Sequence, residues 1–451
     1  MTTSILSLCG LLLVSQSLSA QIINPNNVTK QVQDLKRISE HAEARIKQPT
    51  VDKPFSLSSL PPIENVVTEP LTSLPQSLSI GADINNPVII DVEVEDGWRA
   101  VQYQWLILAD ANSRQTLLKL GANIQSQTTY SGLGLSLLQF TVPASLDSKN
   151  ALAKHLPQSA MQTLGRNHIY QAQASAQSTT ANNEMRKSQD QAAHMCSDKV
   201  KIGIIDSAID QQHRAFSSTN IHAKSFLIGD LTSPNLHGTA VASILVGNTS
   251  GLSPLTPNAH LYSAEVFYRQ SDYSQGATLS AIISALNWLT EQHIKVVNMS
   301  LAGPANQILE QVIHAAHTKG VIIVAAAGNE GPAAPAVFPA GYEQVVAVSA
   351  IDYQQQPYRW SNRGDYIDFS ALGVNVVTAQ SQHRLGKESG TSMAAPVVTA
   401  AVACLMANLT EANKKEIETV LSSLSDQAID LGPKGKDPIY GVGAIERILL
   451  P

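Results

Sequence analysis

The sequence predicts an α/β protein, a mostly parallel sheet with helices on both faces, preceded by a small α+β unit. Three observations predict it. In the last 255 or so residues, short continuous apolar runs (201–205, 260–266, 294–299, 320–325 and 344–350) alternate with helical segments such as 279–290 and 306–318. Continuous rather than alternating apolar strands are buried on both faces, which requires helices above and below the sheet. Before them, residues 100–172 carry a different, mixed pattern of strands and helices. Third, charged residues are 15% and apolar residues 43% of the 451. That excludes a polyelectrolyte-type disordered chain and leaves ample material for a core. The net charge is −6, so no basic excess offsets a phosphate backbone and no nucleic-acid partner is expected.

The elements follow in chain order. Residues 5–14 (ILSLCGLLLV) form an apolar run too short to span a bilayer, followed by Ser17, Ser19 and Ala20. This reads as a secretory signal peptide over 1–20, cut after Ser19 or Ala20, although Lys and Arg are missing from its start. The alternative is a buried apolar N-terminal segment. Residues 21–99 are a leader of unknown role, aromatic-poor and rich in Gln, Asn, Pro and Ser, read as mostly extended or partly helical. Then 100–109 is strand-like, 111–121 a helix with Leu117, Leu118 and Leu120 on one face, and 124–130 and 134–142 two strands around Ser131-Gly132-Leu133. A second helix over 146–156 and a strand over 168–172 complete a β-α-β-β-α-β order, that of a ferredoxin-like split unit. Residues 173–195 read as a polar linker, and 196–451 as the α/β domain. Cys196 and Cys404 could pair in an oxidising compartment, but neither position demands it. In its Ala/Val-rich helix, Cys404 reads as a free buried residue.

In sheets of this class, sites form at the carboxyl ends of the strands. There the first strand ends in Asp206-Ser207-Ala208-Ile209-Asp210, and Leu236-His237-Gly238-Thr239-Ala240 and Gly390-Thr391-Ser392-Met393-Ala394-Ala395-Pro396 each open a helix. Ala325-Ala326-Ala327-Gly328-Asn329-Glu330-Gly331 lies between them at a strand end. A serine hydroxyl is a poor nucleophile at neutral pH unless a base abstracts its proton and an acceptor orients that base. Ser392, His237 and Asp206 supply those types, with Asp210 a competitor for the third role. Pro396 is expected in the first turn of its helix, where its missing N–H has no partner to lose. Singly, Asp206 would be a cap, Asn329 a turn residue and Ser392 a helix N-cap. His213 and His222 read as surface or supporting histidines.

The order Asp…His…Ser with the GTSMAAP heptamer, from about residue 199 to 444, resembles the subtilase family of serine endopeptidases. The resemblance implies Asp206, His237 and Ser392 as catalytic residues, and Asn329 with the Ser392 N–H as the oxyanion hole. It implies that a substrate strand adds along Ser300, Leu301, Ala302 and Gly303, with a pocket between these and Ala326, Ala327 and Gly328. Ala302 and Val337 stand where glycine is common in the family, so the pocket is expected to be narrowed, favouring small or medium apolar residues. Ala208 also replaces a glycine, which costs energy if φ is positive there. Residues 247–257 hold no carboxylate, so the family's calcium loop is not carried over, and neither a metal nor a cofactor is expected. The 100–172 unit resembles the family's propeptide, an intramolecular inhibitor and folding aid removed by cleavage within 173–194. The alternative is a permanent accessory domain. Protein or peptide substrates, no membrane contact after signal removal, a monomer and a secreted location, extracellular or periplasmic, complete the expectation. Two functions compete with this one: a non-catalytic peptide-binding protein on a protease fold, and a lipase-type esterase, disfavoured because Gly-x-Ser-x-Gly is missing around Ser392.

Overall fold

The computed structural model describes residues 74–83, 86–172, 179–180, 194–271, 274–409 and 413–446. The expected signal peptide, most of the leader and most of the linker lie outside them. The described residues belong to one compact unit.

Its amino-terminal segment comprises β1 (Ser77–Ile80), β2 (Ile89–Glu93), β3 (Arg99–Leu108), α1 (Ala111–Lys119), β4 (Asn123–Tyr130), β5 (Leu135–Thr141), the one-turn helices α2 (Lys149–Leu152) and α3 (Gln158–Met161), and β6 (Leu164–Ala172). Asp110 starts α1 by accepting the Ser113 N–H at 2.8 Å, and Ser148 starts α2 by accepting that of Ala151 at 3.1 Å. The β-α-β-β-α-β order is present, with two corrections. The single helix read over 146–156 is only one turn, Lys149–Leu152, and a second turn, Gln158–Met161, follows with Pro157 at its N-cap. The leader also contributes two strands, β1 and β2, which pair antiparallel with each other and then with β3. Trp105, Ile107, Leu117, Leu138, Phe140 and Leu152 pack into this segment's own core.

A short strand, β7 (Thr179–Thr180), leads to the carboxy-terminal segment: β8 (Lys201–Asp206), β9 (Asn220–Ser225), α4 (Leu236–Val246), β10 (His260–Glu265), β11 (Tyr268–Arg269), β12 (Gln275–Thr278), α5 (Leu279–Glu291), β13 (Val296–Met299), β14 (Leu301–Ala302), α6 (Gln307–Thr318), β15 (Ile322–Ala326), β16 (Val345–Ile351), β17 (Phe369–Leu372), β18 (Val376–Gln380), β19 (Arg384–Glu388), α7 (Thr391–Leu405), α8 (Lys414–Gln427) and β20 (Ala444–Ile445). Eight of these strands, in the order β20-β17-β16-β15-β13-β8-β10-β9, form a sheet in which every neighbouring pair is parallel. On one face Ile202, Ile204 and Val324 meet Val241, Leu245, Val398 and Val402 of α4 and α7. On the other, Ile205, Val297 and Ile323 meet Ile282, Leu286, Val312 and Ile313 of α5 and α6. Each fully buried Leu or Ile side chain contributes about 1.5–3 kcal/mol. Helices α4 and α7 are apolar around almost their whole circumference because they lie inside, not on, the molecule.

A second, antiparallel sheet of nine strands joins the two segments. Its path is β1-β2-β3-β6-β12-β11, with β14 also on β6 and the β4–β5 hairpin on β3. Contrary to the reading of Cys404 as free, Cys196 and Cys404 are disulfide-bonded, with their Cα atoms 5.8 Å apart. That tie fastens the start of the α/β segment to the last turn of α7.

Candidate active site

Asp206 is the last residue of β8 and is fully buried. His237 enters from the first turn of α4, with Nδ1 2.8 Å from Asp206 Oδ1 and 3.0 Å from Oδ2. A carboxylate only accepts, so Nδ1 carries the proton and Nε2 has the free lone pair. That Nε2 is buried and makes no hydrogen bond to the protein. Burial alone would pull the His237 pKa down, but the charge and hydrogen bond of Asp206, with the charge of Glu388, more than offset it and leave it raised. Asp206 is itself held by the Ser207 N–H, 2.6 Å from Oδ1. The α4 helix approaches so closely that a Cβ at Gly238 would collide with the Ser207 carbonyl, and the Gly238 N–H donates to Ser207 Oγ at 2.8 Å. Asp210, the competing acid, lies in the next turn, where its N–H donates to Thr239 Oγ1 at 2.8 Å. Ala208 does not have a positive φ, so its Cβ strains nothing.

Ser392 is fully buried in the first turn of α7, after Gly390 at the N-cap. Thr391 beside it orients Asn329: its N–H and Oγ1 both donate to Asn329 Oδ1, at 2.9 and 3.1 Å. With its oxygen committed, the Asn329 amide is fixed about its last torsion. Thr391 Oγ1 also receives the Gly328 N–H at 3.2 Å. Pro396 is a correction to the sequence reading. It lies six residues into α7, not in the first turn, so the Ser392 carbonyl has no i+4 N–H to accept. Ser300 Oγ takes that place, donating at 3.4 Å, and is held in turn by Asn298 Nδ2 at 2.9 Å, with Thr399 Oγ1 donating to Asn298 Oδ1 at 3.1 Å. Sequence reasoning missed Ser207, Thr391 and Asn298; adjacency to a site residue was the only signal they offered. It also missed Glu388, two positions before Gly390.

The expected peptide-binding residues surround one strand. Leu301 and Ala302 pair with Ala172 and Gln171 of β6, while Gly276, Ala277 and Thr278 of β12 pair with Gln171, Tyr170 and Ile169 on its other side. Gly303 exchanges two backbone hydrogen bonds with Phe338, at 2.9 and 3.0 Å. Tyr170 is fully buried, its hydroxyl donating to the Pro304 carbonyl at 3.0 Å. Any Cβ at Gly303 would strike the Tyr170 ring. Ala326, Ala327 and Val337 are all buried, and Gly328 lies between Ala327 and Asn329. His213 is not on the surface: it is fully buried, accepting the Ala215 N–H at Nδ1, with Nε2 3.1 Å from the Arg384 carbonyl. His222 is exposed and stacks on Tyr262, 4.7 Å between centroids. No cluster of three or more His, Cys, Asp or Glu among the described residues is arranged to hold a metal.

Residues 197–443, more than half of the chain, match the family described as the Subtilase family. The chain belongs to that family. It is 33% identical to subtilisin DY of Bacillus licheniformis over 254 residues, covering 54% of this chain and 88% of that protein. It is 31% identical to the minor extracellular protease Epr of Bacillus subtilis (strain 168) over 251 residues, which is 55% of this chain but only 38% of that one. Fervidolysin from Fervidobacterium pennivorans, a keratinolytic enzyme related to subtilisin, shares the fold at a TM-score of 0.62 and 17% identity, over 79% of this chain and 61% of that one. By class the chain is a subtilisin-like serine endopeptidase.

Proposed function

We propose that this subtilase hydrolyses peptide bonds of protein substrates through an acyl-enzyme on Ser392, and that it is made as an autoprocessed, secreted zymogen. The observation that carries the catalytic reading is the bond from His237 Nδ1 to buried Asp206, which leaves Nε2 as an unoccupied buried base. His237 takes the Ser392 proton as Oγ attacks the scissile carbonyl. Asp206 fixes the tautomer and stabilises the imidazolium. The Asn329 amide and the Ser392 N–H, at the positive end of α7, stabilise the oxyanion. His237 then protonates the leaving amine, and water, deprotonated by the same His237, releases the acyl group.

The zymogen reading is supported by β6. Its last residues lie as an antiparallel strand between β12 and β14, the position an extended substrate takes by β-augmentation. Cleavage within 173–194 would then free the segment that ends at β6, with the 100–172 unit as an inhibitory propeptide. Secretion is supported by the Cys196–Cys404 disulfide, a bond that persists in oxidising compartments. No helix among the described residues is long and apolar enough to cross a membrane. Ala302 and Val337 narrow the primary pocket; a peptide-library profile dominated by Phe or Tyr before the scissile bond would refute that.

The test is incubation of the full chain and its Ser392→Ala form with casein, following both casein and the chain's own N-terminus. Ser392→Ala is expected to lose activity by about 10⁶-fold and to remain uncut. Equal casein hydrolysis by the variant overturns the catalytic assignment. An active enzyme that still begins at Ala20 or Gln21 overturns the zymogen account.

A further inference from the structure

Residues 77–93 precede the split β-α-β-β-α-β unit and are not needed to fill the cleft, yet they are built into the joint. β2 pairs with the first half of β3 through Asp91–Val101, Val92–Ala100 and Glu93–Arg99, and that half of β3 pairs with Ile169 and His168 of β6. Ile80 and Ile89 of the hairpin are buried in a cluster with Ile169 of β6 and Tyr268 of β11. Leu78 and Val88 add to it from the hairpin, and Leu227 and Leu231 from the loop that follows β9. Val88 packs so close to Gly229 in that loop that a Cβ there would lie 3.2 Å from Val88 Cγ1. A polar contact crosses the same boundary: Asp91, with no exposed surface, accepts from Arg99 Nε at 2.6 Å and from Gln270 Nε2, on the protease side, at 2.6 Å. A buried carboxylate is stable only while its partners stay in place, so Gln270 is a specific partner of the hairpin and not an incidental neighbour.

The amino-terminal segment thus grips the protease through the β6 strand in the cleft, through Leu106, Leu133 and Leu137 packed with Ile282 and Leu286 of α5, and through the β1–β2 hairpin on Leu227, Leu231, Tyr268 and Gln270. Contacts on one folded piece reinforce each other, because once one is made the others close as intramolecular steps, with avidity gains of about 10²–10⁴.

We propose that the β1–β2 hairpin is a further anchor that keeps the cut propeptide bound, and that Leu227, Leu231, Tyr268 and Gln270 form its docking site on the mature enzyme. This rests on the zymogen reading. When the bond after β6 is cut, the cleft strand becomes a free end, and the hairpin sets how long the enzyme stays silent. Losing the hairpin contact, not the cut, is then the step that releases activity.

The experiment follows the full chain as wild type, Val88→Asp and Gln270→Ala. It measures the cut, by N-terminal sequencing, and peptidase activity, both against time. Val88→Asp is the cleanest variant because the mature enzyme it yields is identical to wild type. The wild type is expected to be cut and then to show a lag before activity, with the propeptide co-eluting with the enzyme. Both variants are expected to be cut at the wild-type rate, with the lag shortened at least about tenfold and co-elution lost. Cutting with an unchanged lag and unchanged co-elution in both variants overturns the anchor and leaves the zymogen reading standing. A wild type that is active without any cut overturns both. If Val88→Asp fails to fold, and so is not cut, Gln270→Ala and Leu231→Ser carry the same comparison from the enzyme side.

Discussion

Val324, in the middle of β15, has a parallel strand on either side and helices on both faces, and no part of it reaches solvent. Thr128, in the middle of β4, has one neighbouring strand and is exposed. The two sheets these residues belong to are built for different lives. In the parallel sheet every strand comes from the carboxy-terminal segment, so no strand can leave without unfolding the core. In the antiparallel sheet the seam between β6 and its neighbours β12 and β14 separates residues on opposite sides of the proposed cut. Parting it costs main-chain hydrogen bonds, the hairpin's apolar cluster and the packing of Leu106, Leu133, Leu137 and Tyr170 against the protease, while the parallel sheet itself keeps all its strands. One sheet is a frame, the other a joint, and the two can be perturbed separately.

The largest separate effect is expected inside the frame. Asn329→Ala should lower turnover by about 10²–10³ with little change in substrate binding, and should slow self-cleavage in proportion while the joint stays intact. Steady-state kinetics and timed gels check both. If self-cleavage were unaffected, the cut would be made by another enzyme. Next, Cys404→Ser removes a cross-link between residues 208 apart in sequence, and should destabilise the mature enzyme by about 2–5 kcal/mol. Thermal melting of enzyme freed of residues 77–172 would show this as a lowered Tm with unchanged kcat at low temperature.

The joint should instead respond to acid. His168 on β6 accepts from the Asn306 amide, with Nδ1 2.9 Å away. Burial first, and then the Arg166 charge, lower its pKa from 6.5 to about 4, opposed by Glu95. The packed state therefore favours neutral His168, and the released segment takes up a proton at higher pH. The stability this contributes is complete above pH 6.5 and is lost as the pH falls towards about 4. Dissociation of the cut segment should quicken over that window, and His168→Gln should flatten the dependence. The smallest expected effect returns to the frame. His237 must be neutral to act as base, and its raised pKa places the acid limb of kcat/KM above pH 6.5. Removing one of the raising charges by Glu388→Gln should move that limb to lower pH. A shift to higher pH would mean that Glu388 acts on His237 in the opposite sense.

The same contrast explains what could be read from the sequence. Ile322–Ala326 reads IIVAA with all five residues buried; a strand enclosed on both faces writes its environment into every position. Asp206 was separable from Asp210 for that reason, since it ends such a strand. Asn123–Tyr130 was found because β-formers such as Thr and Tyr fill it, although its burial follows no clean alternation. Ser77–Ile80, Gln275–Thr278 and Leu301–Ala302 were invisible as strands: they are too short for a period and exist because a neighbour supplies the hydrogen bonds. Cys404 misled for a related reason. Its helix is apolar whether or not the thiol is paired, and its partner comes from the far end of the domain. The proposed triad residues were legible through three motifs in order, but the hydrogen bonds from Thr391 to Asn329 and from Ser300 to the Ser392 carbonyl join segments far apart in the chain.

The proline in α7 has a mechanical consequence. By withholding one amide it opens a socket at the carbonyl of the nucleophile's own residue, and Ser300, the residue leading into β14, plugs it. The expected peptide-binding strand and the helix that carries Ser392 are thus tied to each other by a single hydroxyl. If the cleft strand shifts, the helix end is carried with it.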